Sequence, residues 1–312
     1  MTALSRFAKF AWGVLALNVL VILWGAVVSA TGSGAGCGEN WPLCNGAVVP
    51  AAERTDTLIE YAHRLTSGLA LLAVIALAVW AFRAHPAGSR VRRAAFVSFV
   101  FIIVESLLGA SLVLFGWTAM DTSVIRVFMQ PVHMLNTLLL LGAILLTARW
   151  ASGGEAVQLS GQGGRVWLLG GGLLGAMLMS ASGAVISLGD LLAGSLGEGY
   201  NDLVALLVQL RLGHPAIAIA VGLYIIWAAF RPEATPTPPA RRFAYLTVGA
   251  VVAQWLVGFV NVALRVPLWT QILHLLLADA LWLALVLWSA AALARSAARQ
   301  PAGAPRSAAA AD

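Results

Sequence analysis

Charge is what this sequence has least of. Asp, Glu, Lys and Arg make up 10% of its 312 residues and 60% are hydrophobic, whereas an ordinary soluble domain is roughly 25% charged. That scarcity excludes a soluble globular protein. Cysteine is rare too: the two present lack the further ligands nearby that a zinc centre needs. No basic run is interleaved with aromatics, which argues against a nucleic-acid partner. The formal net charge of +6 therefore has to be explained by membrane topology.

What fills the chain is long apolar runs. A hydrocarbon core takes about 20 apolar residues to cross, and windows near 10–31, 58–82, 94–116, 127–149, 165–188, 203–229, 243–263 and 268–294 qualify. Lipid offers no water to backbone groups, so only helices suit such runs. The expected fold is an all-α integral membrane protein of eight transmembrane helices. The first run is too long, and too poorly followed by a small-residue cleavage site, for a removable signal peptide. Most basic residues fall on one side of this arrangement: Arg6 and Lys9, Arg83 to Arg93, Arg149 and Arg165, Arg231 to Arg242, and Arg295 to Arg306. That side is read as cytoplasmic, with both termini there and the protein in the cell membrane. Residues 295–312, rich in Ala and Pro, read as a disordered cytoplasmic tail.

The chain also repeats itself. GAVVSATG at 25–32 returns as GAVISLG at 183–189, ESLLG at 105–109 as QWLVG at 254–258, and QPVH at 130–133 as QILH at 271–274. The second span aligns with the sixth through EYAHRL at 60–65 and RLGHPA at 211–216. Two tandem pseudo-symmetric four-helix bundles follow, 1–150 and 165–294, related by an axis along the membrane normal. A Gly- and Ser-rich linker at 151–164 joins them.

Four of the five histidines lie inside spans: His63, His133, His214 and His274, one in each even-numbered span and each near its outer end. Ionisable groups within a membrane are costly and usually functional. His85, in a basic loop, reads as a surface residue. Four imidazoles at matched depth and matched repeat positions suit haem iron, held by axial nitrogens from facing helices, and neutral imidazole adds no net charge to lipid. Each bundle would take one haem, between His63 and His133 in the first and His214 and His274 in the second. Zinc or copper fits less well, since no carboxylate or thiolate completes a coordination sphere. Haem propionates need cations, and Arg64, Arg126, Arg211 and Arg265 lie on the outer side.

Glu60 stands one helical turn before His63, on the same face. Its repeat counterpart is Arg211, so the two pockets are electrostatically unlike: a carboxylate can move protons or offset positive charge, and an arginine is better suited to a propionate. Glu105 and Asp279, also within spans, read as packing or proton-path residues. The cysteines sit in GCGENWPLCNG, in an outer loop where an oxidising compartment allows a disulfide. A simple staple and an exposed bridge that exchanges with thiols are both open readings.

GAVVSATGSG, CGENWPLC, EYAHRL and the single histidines of spans two, four, six and eight together resemble the haem A synthase family, over essentially the whole chain apart from its tail. The resemblance implies oxidation of a methyl group of haem O to the formyl of haem A for terminal oxidases. The methyl would pass through successive hydroxylations to a gem-diol that loses water. It further implies that His63 and His133 face the substrate haem, that His214 and His274 ligate a resident haem b, and that Glu60 is the catalytic carboxylate. Cys37 and Cys44 match the paired cysteines of a subset of bacterial members. The implied partners are haem O, the lipid bilayer, a haem O synthase and oxidase assembly factors; a homo-oligomer is compatible with it. Two other readings compete. A dihaem b-type electron-transfer cytochrome, such as a quinol oxidoreductase subunit, would account for four histidines but not for unlike pockets. A cofactor-free transporter would account for the duplication alone.

Overall fold

The computed structural model describes residues 3–51, 54–197 and 201–294; the expected tail lies outside them. Eight helices among the described residues are long and apolar enough to cross a membrane. They are α1 (Arg6–Ala30), α2 (Thr55–Ala84), α3 (Arg90–Leu114), α4 (Val124–Ala151), α5 (Gly164–Leu196), the span Asp202–Ala229 formed by α6 (Asp202–Gln209) and α7 (Gly213–Ala229), α8 (Pro238–Ala263) and α9 (Leu268–Ala292).

Helix starts follow from capping side chains, which satisfy amide groups that have no intrahelical partner. Ser5 accepts from the Ala8 amide, Ser89 from Arg92, Ser123 from Arg126 and Thr237 from Ala240, with proline in the first turn of α8. These caps lie several residues before the apolar windows begin, so most helices start earlier than hydropathy alone indicates. The fifth span differs most, ending at Leu196 rather than 188. Its extra turns are held by a small apolar cluster in which Leu188 and Leu192 bury against Val204 of α6.

The sixth span is broken. A 3₁₀ turn at Leu210–Leu212 separates α6 from α7, immediately before His214. Pro215 supplies a cause: it has no N–H to donate, and its ring opposes the carbonyl four residues earlier, that of Arg211.

In the first half α1 packs on α2 and α4, and α3 packs on the same two helices. Helices α2 and α4 therefore face each other across a four-helix ring. The second half repeats this, with α5 and α8 each packed on α7 and α9. The halves meet through α4 and α9, which are 61% and 56% buried over their apolar windows, against 17–28% for the other spans. At that junction the Trp282 indole donates to the Leu138 carbonyl at 2.7 Å. One hydrophobic core runs through both halves. The connecting segment is pinned as well: the Gln158 amide donates to the Leu293 carbonyl at 2.9 Å.

Candidate functional site

Each of the four intramembrane histidines is half-buried and faces a glycine on a neighbouring helix. A Cβ built on Gly25 would lie 3.0 Å from His63 Cε1, one on Gly183 3.0 Å from His214 Cε1, one on Gly258 3.1 Å from His274 Cε1, and one on Gly109 4.0 Å from His133 Cε1. Gly25 and Gly183 open the repeated GAV motifs, and Gly109 and Gly258 close the repeated ESLLG and QWLVG. The duplication thus repeats a histidine together with the space it occupies. The sequence carried this signal in its matched glycines, but only the helix neighbours show what each glycine is for.

The nitrogens of the four rings are treated differently. His214 Nδ1 pairs with Ser182 Oγ at 3.0 Å, and His274 Nε2 with the Gln254 amide nitrogen at 3.3 Å. His63 Nδ1 and His274 Nδ1 are buried without a hydrogen-bond partner. His133 Nδ1 lies 3.4 Å from Glu105 Oε1. That is longer than a well-formed N–H···O bond, and Nδ1 has no hydrogen-bond partner, so the contact is a close electrostatic one.

The second pair fits an iron between its rings. The His214 and His274 ring centroids are 6.4 Å apart with planes at 83°. Two imidazoles sharing one metal, with metal–nitrogen bonds of about 2 Å, place their centroids about 6 Å apart. For His63 and His133 the fit rests on α2 and α4 facing each other, on the same glycine step, and on the buried His63 Nδ1, which lacks a partner.

Glu60 and Arg64 serve the cysteine loop. Cys37 and Cys44 form a disulfide with S–S 2.01 Å. The bridge is buried, at 0% and 1% exposure, so the reading of an exposed, thiol-exchanging bridge is not what the fold presents. The loop folds down onto the start of α2, where Thr57, Glu60 and Arg64 occupy one face. The Thr57 hydroxyl donates to the Gly36 carbonyl at 2.7 Å, and the Cys37 amide donates to Glu60 Oε2 at 2.8 Å. Arg64 pairs with Glu60 Oε1 at 2.5 Å and also donates to the carbonyls of Asn40 and Leu43. Both carboxylate oxygens of Glu60 are therefore engaged, and the residue is 3% exposed.

A scan against family models matches residues 8–286 to COX15-CtaA, described as cytochrome oxidase assembly protein. The chain belongs to the COX15-CtaA family. Two relatives from Thermus thermophilus named "Protoheme IX farnesyltransferase" are 51% identical over 304 residues, covering 95% of this chain and 50% of their own length. The chain spans about half the length of these relatives. A "Heme A synthase" of an Exiguobacterium species is 39% identical over 117 residues, and one of Bacillus mycoides 41% identical over 114, each covering under two-fifths of either chain.

The other arginines of this family member are variously placed. Arg126 is 4% exposed and turns its guanidinium onto the carbonyls of Thr118, Ala119 and Asp121, clipping the α3–α4 connection. Arg211, half-exposed, pairs with Asp190 at 2.6 Å. Arg265 is exposed, in a left-handed turn with φ 61°. Asp279 is 2% exposed, with Oδ2 lacking a partner. Glu105 turns out to be the centre of a polar cluster, which its sequence context alone did not reveal.

Proposed function

We propose that this chain is a haem A synthase, oxidising a methyl group of haem O to the formyl group of haem A. The observation that carries the proposal is the repeated histidine–glycine step, whose second copy sets two imidazoles at the separation one iron requires. In this reading His214 and His274 hold a resident haem b and His63 and His133 receive the substrate haem. Resident haem b, when bound, supplies a one-electron carrier between the substrate and an external oxidant.

The chain's own residues would do the rest. The facing helices α2 and α4 would orient the substrate through His63 and His133. Glu60, one turn before His63, is the carboxylate available to take a proton as each hydroxylation removes a C–H hydrogen. Its ion pair with Arg64 would hold it in place between turnovers. Two hydroxylations, each taking an oxygen atom from water, releasing two protons and passing two electrons to the external oxidant, give a gem-diol, which loses water to leave the formyl group. Arg265, exposed near the surface, is the propionate partner whose setting leaves room, and Arg211 would have to share its guanidinium with Asp190 to act as one. Arg64 and Arg126 would have to exchange loop carbonyls for a propionate to serve the same purpose.

The Thermus relatives support a supply route. Their name describes farnesyl transfer to protohaem, yet this chain matches only half of their length, leaving another half in which that transfer can reside. A farnesylated protohaem is the substrate class proposed here. We read the matched half as the oxidising step that follows farnesylation, with a separate farnesyltransferase as the partner of this chain.

Expression in a host that makes haem O but no haem A tests the proposal. Extracted haems should contain the formyl product, or its hydroxymethyl precursor, only when the chain is present. Haem bands on the purified protein with haem O unchanged would favour the electron-transfer cytochrome instead.

A further inference from the structure

Glu105 of α3 reaches across to α4 at the level of His133. Its Oε2 accepts from the Asn136 amide at 2.6 Å, its Oε1 accepts from the Thr137 hydroxyl, and Oε1 lies 3.4 Å from His133 Nδ1. Asn136 and Thr137 follow His133 by about one helical turn, so the helix that carries the histidine also holds the carboxylate against it. The side chain of Glu105 is only 18% exposed.

The second half lacks this arrangement. The aligned motifs put Gln254 where Glu105 stands, and Leu277 and Ala278 where Asn136 and Thr137 stand. There the histidine partners are neutral: the Ser182 hydroxyl on His214 Nδ1 and the Gln254 amide on His274 Nε2. A shared packing requirement would have kept the same residues in both copies, whereas the carboxylate and its two holders occur together in one copy only.

Building on the haem assignment above, we propose that Glu105 is a positioning residue of the first bundle: it holds His133 by the Nδ1–H, leaves Nε2 for iron, and poises a haem there at a lower reduction potential than one in the second bundle. A carboxylate that accepts from the far nitrogen of a metal-bound imidazole fixes its tautomer and strengthens it as a donor. Second-shell hydrogen bonding and nearby charge are among the levers that set haem potentials. An anion close to the iron stabilises the oxidised form, which carries one more positive charge. The order of potentials would make electron flow from the first haem to the second downhill.

The experiment is a redox titration of purified protein loaded with haem b, followed by visible absorbance. Wild type should show two components, and Glu105→Gln should move the lower one upward while leaving the upper one in place. Two unmoved components in Glu105→Gln overturn the proposal. If Glu105→Gln loses the lower component altogether, Glu105→Asp decides: recovery near the wild-type potential supports the proposal, and continued loss overturns it. His133→Ala separates this from the underlying reading. Loss of the lower component in His133→Ala together with no shift in Glu105→Gln defeats the Glu105 proposal alone. Both components intact in His133→Ala defeats the haem assignment itself.

Discussion

His214 sits so close to Gly183 that a methyl group on the glycine would lie 3.0 Å from its ring. The contact is tight because α5 and α7 pack against each other at this level, and glycine removes the one side chain that would keep the imidazole out. Gly183→Ala should push the ring off its position. Overpacking of this kind costs about 1–3 kcal/mol, and haem bound per protein should fall about tenfold or more. Gly109→Ala, in the first half, is the control: a Cβ there would be 4.0 Å from His133, an ordinary contact, and haem content should stay near wild type. Equal loss in both variants would show that the glycines matter for helix packing and not for the imidazole.

The buried bridge between Cys37 and Cys44 should resist reagents. Alkylation without reductant should leave both sulfurs unmodified by mass, and mild reductant should open the bridge only slowly in the folded protein. A loop this short contributes at most about 3 kcal/mol through chain entropy, so Cys37→Ser with Cys44→Ser should still insert and keep haem in the second bundle. Two alkylated thiols in unreduced protein would contradict the disulfide.

Glu60→Gln now carries a sharper expectation than the sequence allowed. Both carboxylate oxygens accept bonds, from Arg64 and from the Cys37 amide, whereas glutamine offers one oxygen and an NH₂ that would face a donor. The variant should loosen the cysteine loop, retain haem in the second bundle, and form haem A at least about a hundredfold more slowly, the low end of what a general acid or base contributes. Arg64→Gln should loosen the same loop while leaving the Glu60 carboxylate in place. If the two variants lose activity equally, holding the loop accounts for Glu60; a much larger loss in Glu60→Gln marks the carboxylate as catalytic.

The spans, and the placement of the four histidines within them, were legible because each depends on residue type and spacing along one helix. The period of a helix placed Glu60, His63 and Arg64 within one another's reach but not their partners: Glu60 and Arg64 are committed to a loop more than 20 residues away. Arg126 looked available for a propionate, yet it is buried on the carbonyls of its own preceding loop, since a connection with unpaired carbonyls near lipid needs a donor. Glu105 read as packing because its partners, Asn136 and Thr137, lie on the next helix, and neither hydropathy nor motif records which faces meet. The break before His214 could have been read from Pro215, whose effect on the preceding turn is local.

The most direct test of the account is the visible spectrum and haem content of the purified protein beside those of His214→Ala and His274→Ala. The account predicts low-spin haem bands in the wild type and loss of most of that signal in each variant, because a single iron needs both rings of the pair that stand 6.4 Å apart. Full low-spin haem retained in both variants would contradict it.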